Sequence, residues 1–351
     1  MGKITVLGAG SWGATLAQHL AGNIKSRQKN AGIVSLWEFD KERTRSLNAT
    51  RTLPTLPALK LPPSVKVTDD MAEALSPLPE IIVAAVPSFA FTQTLNQLKK
   101  ILERFDTLLK EDIPGIVIAT KGFVGNRHLL PSVETAKIFP FLKKIAILTG
   151  PSHAEEVVRK MPTVVTIASS NLKFAGHVQE IFASEYLRVY TNSDIIGSGL
   201  AGALKNIYAI AAGISDGLGL GDNTKAALVT RSLAEMSRVG TALGGKPQTF
   251  LGLSGVGDLI VTCYSRHSRN RNLGEMLGQG LKLKDALKKM TMVSEGIYAS
   301  KSLEIIKRQN PRVFPRHCHT PIADEIHAIL FHNKSPVKSI SSLMTRPLKS
   351  E

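Results

Sequence analysis

The first 190 residues alternate short runs of β-branched and aliphatic side chains with segments whose apolar residues recur at helical spacing. The strand-like runs cover residues 4–7, 34–37, 65–67, 81–86, 116–119 and 145–148. This alternation predicts parallel strands joined by crossover helices, because a parallel strand buried on both faces reads as a continuous apolar run. Two more runs, residues 163–168 and 187–190, are expected to extend the same sheet.

The strand signal stops after Thr191, and apolar residues then recur with a helical period over residues 195–214, 224–243, 281–290, 300–309 and 321–330. The polar residues 191–194 suit a loop and a helix N-cap, so we place a domain boundary there. At 351 residues the chain is also longer than one core usually fills. We therefore predict an α/β domain over residues 1–190, an all-α domain over 191–340 and a C-terminal tail over 341–351.

The first strand-like run leads into Gly8-Ala9-Gly10-Ser11-Trp12-Gly13, and a helical pattern follows at once. The G-x-G-x-x-G pattern is weak alone, but a turn between strand and helix is its dinucleotide-binding setting. Gly8 would permit the tight turn, Gly10 would let a pyrophosphate approach the backbone, and Gly13 would let helix and strand pack closely. The N-terminal domain is therefore predicted to be a Rossmann-like doubly wound sheet that holds NAD or NADP at a helix N-terminus.

The second strand-like run ends in Glu38-Phe39-Asp40, near where an acidic side chain holds the ribose hydroxyls of NAD. Glu38 would also repel the additional phosphate of NADP. However, Lys41, Arg43 and Arg45 follow at once and would favour that phosphate. The preference between NAD and NADP therefore stays open, as does the alternative that Glu38 is a solvated strand end.

Composition argues against several other classes of protein. Only Cys263 and Cys318 are present, without a C-x-x-C pair or a histidine at zinc-ligand spacing, so we expect neither a disulfide framework nor a metal site. The N-terminus enters an apolar strand without room for a signal peptide, and we expect a cytoplasmic protein. The net charge of +16 is scattered and accompanies no nucleic-acid-binding module, so we expect phosphorylated small molecules rather than nucleic acids as partners.

The most apolar stretch, residues 195–214, approaches the length of a membrane span. It carries Lys205 and Asn206 at its middle, and we expect a buried helix and no membrane insertion. Six of the seven residues at positions 197–203 are Gly, Ala or Ser, and the glycines and the serine lower the intrinsic helix propensity, which indicates that another element packs closely against this backbone. Lys205 would then lie at depth.

Two later strand-like runs lead into residues that suit ligand binding. The first is followed by Thr120-Lys121-Gly122 and the second by Gly150-Pro151-Ser152-His153-Ala154. Both segments would lie at the carboxyl edge of the sheet, where doubly wound folds bind ligands. Lysine there can meet a phosphate or a carbonyl, and the glycine and serine could present backbone and hydroxyl donors.

These motifs resemble those of the bacterial-type NAD(P)-dependent glycerol-3-phosphate dehydrogenases, and the resemblance runs through nearly the whole chain. It covers GAGSWG at 8–13, ATKG at 119–122, GPSHAEEV at 150–157, SGVGDLIVTC at 254–263, SRNR at 268–271 and SEG at 294–296. The most specific match is GALKNIYAIAAGISDGLGLGDNTKAALVTRSLAEM at 202–236. A generic dinucleotide-binding enzyme would have no reason to contain that block.

The resemblance implies an oxidoreductase that transfers hydride reversibly between sn-glycerol 3-phosphate and dihydroxyacetone phosphate, supplies glycerol 3-phosphate for phospholipid synthesis and forms a homodimer. It implies that Lys205 is the proton acceptor and that Lys121 lies between substrate and nicotinamide. The positions implied to contact substrate are Lys121, Gly150, Ser152, Lys205, Asp258, Ser268, Arg269 and Asn270. The positions expected to contact the cofactor are Glu38 and the motif glycines Gly8, Gly10 and Gly13, together with Ser11, Trp12, Phe39, Lys121, Ala154, Arg269, Val293 and Glu295.

Two positions depart from the family pattern. Phe39 stands where members often carry Arg or His near the adenosine, which weakens an assignment to NADP. Ser152 replaces the common Thr and keeps the hydroxyl.

The chemistry can also be argued from residue types. When hydride leaves C2, the hydroxyl proton needs an acceptor, and a lysine serves if burial and a second cation lower its pKa. Lys205 and Lys121 would form such a pair. Asp258 could orient the base, although a close carboxylate would raise the pKa of the lysine. Arg269 starts a helical pattern that ends near Leu277, so its guanidinium and the helix N-terminus could hold the substrate phosphate.

Several alternatives stay open. Lys205 could be a surface lysine, Asp258 could only cap a helix, and Arg269 could belong to a solvated face. The alternative functions are a related two-domain hydroxyacid or sugar-acid dehydrogenase, whose substrate carries a carboxylate, and a non-catalytic dinucleotide-binding protein.

Overall fold

The computed structural model describes residues 2–27, 33–104, 113–290, 294–314 and 318–348. The chain divides into two compact units, Met1–Gly199 and Leu200–Glu351. The first contains the sheet, and the described part of the second is helical. The predicted fold class, a Rossmann-like α/β unit followed by an all-α unit, is confirmed.

One eight-stranded sheet forms the centre of the first unit, in the order β3-β2-β1-β4-β5-β6-β7-β8. The strands are β1 (Ile4–Leu7), β2 (Val34–Trp37), β3 (Val65–Thr68), β4 (Ile81–Ala84), β5 (Gly115–Ile118), β6 (Ile145–Thr149), β7 (Thr163–Ala168) and β8 (Leu187–Asn192). All eight predicted strands are present, three of them (β1, β2 and β7) with the predicted ends and the others with ends shifted by one or two residues. Every residue of β1, β2, β4 and β5 is buried, which explains their continuous apolar runs.

The strands from β1 to β6 pair in parallel, as predicted. The last two strands do extend the sheet, but β7 runs antiparallel to β6, and β8 is parallel to β7. The sequence pattern did not indicate this reversal. The connection from β6 to β7 contains only one short helix, Ala154–Val157, so the chain turns back at the same edge instead of crossing over.

The helices of the first unit are α1 (Ser11–Arg27), α2 (Lys41–Thr50), α3 (Met71–Ala74), α4 (Ser88–Arg104), α5 (Pro131–Ile138), α6 (Ala154–Val157) and α7 (Leu172–Phe182). Buried apolar side chains form two clusters, one on each face of the sheet. Within β4, Ile81 and Val83 belong to one cluster and Ile82 and Ala84 to the other, as the period of two requires.

The parallel register brings several chain segments to one edge of the sheet. Leu7 is level with Trp37 and Ala84, and Ala84 is level with Ile118. The residues that follow β1, β2, β4 and β5 therefore all emerge at the carboxyl edge, where the glycine motif, Glu38 and Lys121 were expected.

The second unit is built from helices that begin with α8 (Ile195–Gly217), which starts in the first unit and continues into the second, so the division lies inside a helix. The others are α9 (Gly221–Ala242), α10 (Pro247–Phe250), a π-helix (Leu253–Gly257), α11 (Asp258–Tyr264), α12 (Arg269–Gly278), α13 (Leu283–Lys289), α14 (Glu295–Gln309), α15 (Pro321–His332) and α16 (Pro336–Met344). Residues 341–344, expected to belong to the C-terminal tail, are the last residues of α16.

Helix α8 satisfies the length and composition of a membrane span, but 83% of its most apolar window is buried inside the protein. Asp194 caps its start, since the Asp194 carboxylate accepts a hydrogen bond from the Gly197 amide at 2.8 Å. The polar loop before the helix therefore has the capping function that its residue types predicted.

A buried carboxylate also caps helix α15. Glu235 of α9 accepts hydrogen bonds from the amides of Ile322 (3.0 Å) and Ala323 (2.9 Å). Burial nevertheless raises the pKa of Glu235 from its usual 4.5 to about 7. A carboxyl whose pKa is raised on folding stabilises the fold below its unfolded pKa, and that stability is lost as the pH rises through the folded pKa.

We therefore compare the wild type with Glu235→Gln, which has no carboxyl to titrate at this position. As the pH rises from about 4.5 through about 7, the free energy of unfolding of the wild type should fall by about 3 kcal/mol relative to that of the variant. Denaturant unfolding at a series of pH values measures this difference. Asp222→Asn, which removes an exposed carboxylate from the same helix, should track the wild type. A wild-type minus Glu235→Gln difference that does not change with pH would contradict the assignment.

Candidate active site

The glycine motif leaves β1 and begins α1 with the geometry that a dinucleotide requires. Gly8 has φ +102°, and a Cβ there would lie 2.9 Å from the Ala85 carbonyl oxygen. A Cβ at Gly13 would overlap the Gly8 carbonyl oxygen, so only glycine allows this contact between turn and helix. Gly10, in contrast, faces open space, since a Cβ there would meet nothing within 4 Å. The backbone at Gly10 is therefore open to a pyrophosphate, and the residues present fit a dinucleotide.

The first turn of α1 carries Ser11 and Trp12, both half-buried. The first amides of any helix lack helical acceptors, and here they follow directly on the open face at Gly10. The Trp12 ring packs against the buried cluster that contains Ile4 and Leu16, and its indole N–H has no hydrogen-bond partner among the described residues. Trp12 therefore also has a structural function beside any contact with the cofactor.

Glu38 follows β2 and is only 2% exposed, so the alternative of a solvated strand end is wrong. Its carboxylate accepts a hydrogen bond from the amide of Ala9 in the glycine loop at 3.0 Å. The other oxygen lies 3.5 Å from the Arg43 guanidinium. Glu38 thus supports the loop that would hold the pyrophosphate and places a negative charge where β2 ends. Phe39, the next residue, is 73% exposed.

Lys121, Gly150 and Ser152 come together at the ends of the neighbouring strands β5 and β6. The Lys121 ammonium donates a hydrogen bond to the Gly150 carbonyl at 3.0 Å, and the Ser152 hydroxyl donates to the same oxygen at 3.0 Å. Gly150 has φ +108°, a conformation that favours glycine. Ala154 begins α6 and is buried. The first unit therefore gathers these predicted residues at its carboxyl edge.

In the second unit, Lys205 of α8 is only 6% exposed, although it is charged and long. Its ammonium donates to the Asp258 carboxylate and, at 2.9 Å, to the Thr262 hydroxyl. The Thr262 hydroxyl in turn donates to the Asp258 carbonyl at 2.5 Å. A surface position for Lys205 is therefore wrong, and the close carboxylate favours the charged ammonium.

Thr262 was given no function from the sequence, although Asp258 and Thr262 are four residues apart and share one face of α11. That spacing was a usable signal. A π-helix directly precedes Asp258, and in it the Gly257 amide donates to the Gly252 carbonyl at 3.2 Å. No sequence pattern indicated this segment. Such segments occur frequently at functional sites. A Cβ at Gly255 would overlap the backbone of Phe250, so only glycine lets the π-helix before Asp258 pack this closely against Phe250.

Helix α12 begins with the predicted phosphate-binding motif. The Ser268 hydroxyl caps the helix by accepting from the Arg271 amide at 3.2 Å, and Arg269, the first helical residue, is exposed. Asn270 is buried, and its side chain donates to Asn206 at 2.9 Å. Its oxygen accepts from the Ser294 hydroxyl at 2.6 Å and the Gly296 amide at 2.8 Å. Asn270 therefore connects α8 and α12 with the start of α14.

Two predicted cofactor contacts concern the start of α14. Glu295 is the first residue of that helix and is half-buried. Val293 lies outside the described residues. Among the residues that the structure does describe, no three His, Cys, Asp or Glu side chains cluster as metal ligands.

The first unit thus offers an open glycine loop with an acidic residue at the end of β2. The second offers a buried ammonium held by a carboxylate and a hydroxyl, and a helix N-terminus with an exposed arginine. A dinucleotide, a proton transfer and a phosphate are the chemistries that these groups suit.

Comparison with known families agrees with this chemistry. A family model described as the N-terminus of NAD-dependent glycerol-3-phosphate dehydrogenase matches residues 3–175. A second model, described as the C-terminus of the same enzymes, matches residues 194–341. The two models together span most of the chain.

Full-length relatives show the same similarity. The chain is 45% identical to a glycerol-3-phosphate dehydrogenase (NAD(P)+) of Chlorobium phaeobacteroides, over 99% of each sequence. It is also 45% identical to the protein of that name from Geobacillus thermodenitrificans, over 100% of this chain and 97% of that protein. A crystal structure of glycerol-3-phosphate dehydrogenase from Coxiella burnetii superposes with a TM-score of 0.86 at 34% identity, covering 98% of this chain and 99% of that one.

Proposed function

The chain belongs to the NAD-dependent glycerol-3-phosphate dehydrogenase family, and on this premise we propose that it interconverts sn-glycerol 3-phosphate and dihydroxyacetone phosphate with NAD(H) or NADP(H). The observation that carries the proposal is the buried Lys205 ammonium, held by Asp258 and Thr262 within the segment that the C-terminal family model matches. A buried lysine is costly unless it is paired, and a buried ionisable group with specific partners is a candidate for catalysis.

Residues of the first unit would hold most of the cofactor. The open backbone at Gly10 and the first turn of α1, with Ser11 and Trp12, would bind the pyrophosphate. Glu38 and Phe39 would bind the adenosine, and Lys121 and Ala154 would add contacts from the carboxyl edge of the sheet. The family resemblance also assigns Arg269 and Glu295 to the cofactor. When bound, the nicotinamide supplies or accepts the hydride at C2 of the substrate.

Lys205 carries the proton that the substrate oxygen gains or loses. In the reductive direction, its ammonium donates a proton to the C2 carbonyl oxygen, and the resulting amine is reprotonated from solvent. In the oxidative direction, the neutral amine takes the hydroxyl proton. Asp258 orients the nitrogen and stabilises the ammonium, which is the form that the reductive direction requires.

The substrate phosphate is held at the start of α12. Arg269 is exposed there beside the helix N-terminus, where a guanidinium and the positive end of the helix dipole favour an anion. The family resemblance also assigns Lys121, Gly150 and Ser152 to the substrate. Because the contacts with the phosphate are remote from the reacting carbon, their binding energy serves to position C2. A substrate without phosphate should therefore react poorly.

We also propose that NADH is preferred over NADPH. Glu38 places a carboxylate where β2 ends, and Arg43 is already in contact with that carboxylate. An additional phosphate on the adenosine ribose would meet this negative charge. The exposed Phe39 adds an aromatic face for the adenine and no positive charge.

Steady-state oxidation of NADH and of NADPH, each with dihydroxyacetone phosphate as the acceptor, tests both proposals. We expect turnover with dihydroxyacetone phosphate, a higher kcat/KM with NADH, and little turnover with dihydroxyacetone or with a panel of 2-keto acids. Faster turnover of a 2-keto acid would favour a hydroxyacid dehydrogenase instead. Binding of NADH without turnover of any acceptor would indicate a non-catalytic dinucleotide-binding protein.

The reaction would supply glycerol 3-phosphate for phospholipid synthesis. Cys263 and Cys318 are both free and buried, which suits a reducing compartment, and we propose a cytoplasmic location. We further propose a homodimer that neither inserts into a membrane nor binds nucleic acid, in keeping with the buried α8 and the scattered positive charge.

A further inference from the structure

The two arginines at the start of α12 lie in different surroundings. Arg269 is exposed, whereas the side chain of Arg271 is only 12% exposed. The Nε atom of Arg271 lies 2.6 Å from a carboxylate oxygen of Asp216, which makes a close ion pair without a linear hydrogen bond. Its Nη1 atom donates to Glu275 at 3.0 Å. With its guanidinium occupied in this way, Arg271 is not the residue that holds a substrate phosphate.

Asp216 connects several helices through its one carboxylate. It lies on α8 and contacts, besides Arg271 of α12, the ammonium of Lys225 on α9 at 2.8 Å. The Lys225 ammonium also lies 4.5 Å from the ring centre of Tyr264 on α11. The Asp216 carboxylate thus pairs with cations from α9 and α12 and connects both helices to α8, which carries Lys205.

The backbones of α8 and α12 also touch directly. A Cβ at Gly213 or Gly217 of α8 would overlap a carbonyl oxygen of α12, and a Cβ at Gly274 of α12 would overlap the Ile210 carbonyl oxygen. Gly278 repeats the contact one turn further on, against Ile214. This glycine seam, formed by Gly213, Gly217, Gly274 and Gly278, sets the distance between the helices.

The seam sets the distance between the two helices, and two polar contacts that cross from α8 to α12, Asn206–Asn270 and Asp216–Arg271, hold α12 in position along α8. Sliding by a single residue would move the start of α12 by about 1.5 Å along its axis. Since Lys205 and Asp216 share α8, the Asp216–Arg271 ion pair helps to determine where Arg269 stands relative to Lys205, together with the Asn206–Asn270 hydrogen bond. A misplacement of that size at a phosphate anchor is enough to lower the productive binding of a small substrate.

We propose that Asp216 and Arg271 are positioning residues that set the substrate phosphate site at the start of α12 in register with Lys205. This inference rests on the proposed function for the identity of the phosphate compound, but not for the phosphate site itself. Asp216 contacts neither substrate nor cofactor in this assignment. Its effect passes through Arg271 to Ser268 and Arg269.

The test compares Asp216→Asn with Asp324→Asn. Asp324 makes an ion pair with Lys307 between α14 and α15, so the control removes the same charge from another interhelical pair of the same unit. We expect Asp216→Asn to raise the KM for dihydroxyacetone phosphate and the dissociation constant for inorganic phosphate in parallel, each by roughly tenfold, with kcat within about threefold of the wild type. Asp324→Asn should leave both constants within about twofold.

Two further measurements keep the outcome decisive. Asp216→Glu, which restores the carboxylate, should recover most of the phosphate affinity if Asp216→Asn folds poorly. Calorimetric binding of inorganic phosphate needs no turnover, so a wild type that binds phosphate but does not reduce dihydroxyacetone phosphate would refute the proposed function alone. The inference is overturned if the wild type binds no phosphate, if Asp216→Asn and Asp324→Asn have equal effects, or if Asp216→Asn lowers kcat with unchanged phosphate affinity.

Discussion

Replacing Lys205 with methionine is expected to lower kcat for the reduction of dihydroxyacetone phosphate by about 10³-fold, because positioned proton transfer contributes about 10²- to 10⁴-fold to such reactions. Methionine has a similar length and cannot donate a proton to the C2 oxygen. The NADH dissociation constant should stay within about threefold of the wild-type value, since the residues assigned to the pyrophosphate lie in the other unit.

The substitution also leaves the Asp258 carboxylate buried without its ammonium, which threatens stability. Lys307→Met is the matched control, because Lys307 is a partly buried lysine in the same unit that pairs with Glu304 and Asp324. Thermal denaturation of both variants separates loss of fold from loss of chemistry. If a folded Lys205→Met enzyme turns over within a few-fold of the wild type, Lys205 is not the proton donor.

Arg269→Ala should raise the KM for dihydroxyacetone phosphate by roughly 30- to 100-fold, which corresponds to the loss of about 2–3 kcal/mol from a charge-assisted contact with phosphate. The effect on kcat should be smaller, and a moderate rise in the KM for NADH would agree with the additional contact assigned to this arginine. Arg266→Ala removes an exposed arginine from the segment just before α12 and should change KM by less than about twofold.

Phosphate-free dihydroxyacetone provides the internal check on Arg269. If the guanidinium acts on the phosphate, the wild type and Arg269→Ala should reduce dihydroxyacetone at similarly low rates, and the difference between them should appear only with the phosphorylated substrate. An unchanged KM for dihydroxyacetone phosphate would remove Arg269 from the phosphate site and return it to the solvated face that its exposure also allows.

Local sequence patterns predicted the strands, the glycine turn and the longer helices of the second unit, because each depends on contacts between residues close in the chain. Gly8 and Gly13 are the clearest case, since the φ of one and the close packing of the other are properties of a single strand-turn-helix segment. The reversal of β7 depends instead on where the chain can re-enter the sheet, which no local pattern records.

The sequence by itself determined the fold class, the family and the identity of the chemical groups, since a lysine, an arginine and an open glycine loop limit what can be bound. Only the tertiary structure decided which of these charged side chains pair with which partners. It brought Lys205 to Asp258 and Thr262, turned Glu38 toward the glycine loop, and separated an exposed Arg269 from an Arg271 bound to Asp216. The reason is physical, because the charge state and reach of a side chain depend on burial and on partners distant in the chain.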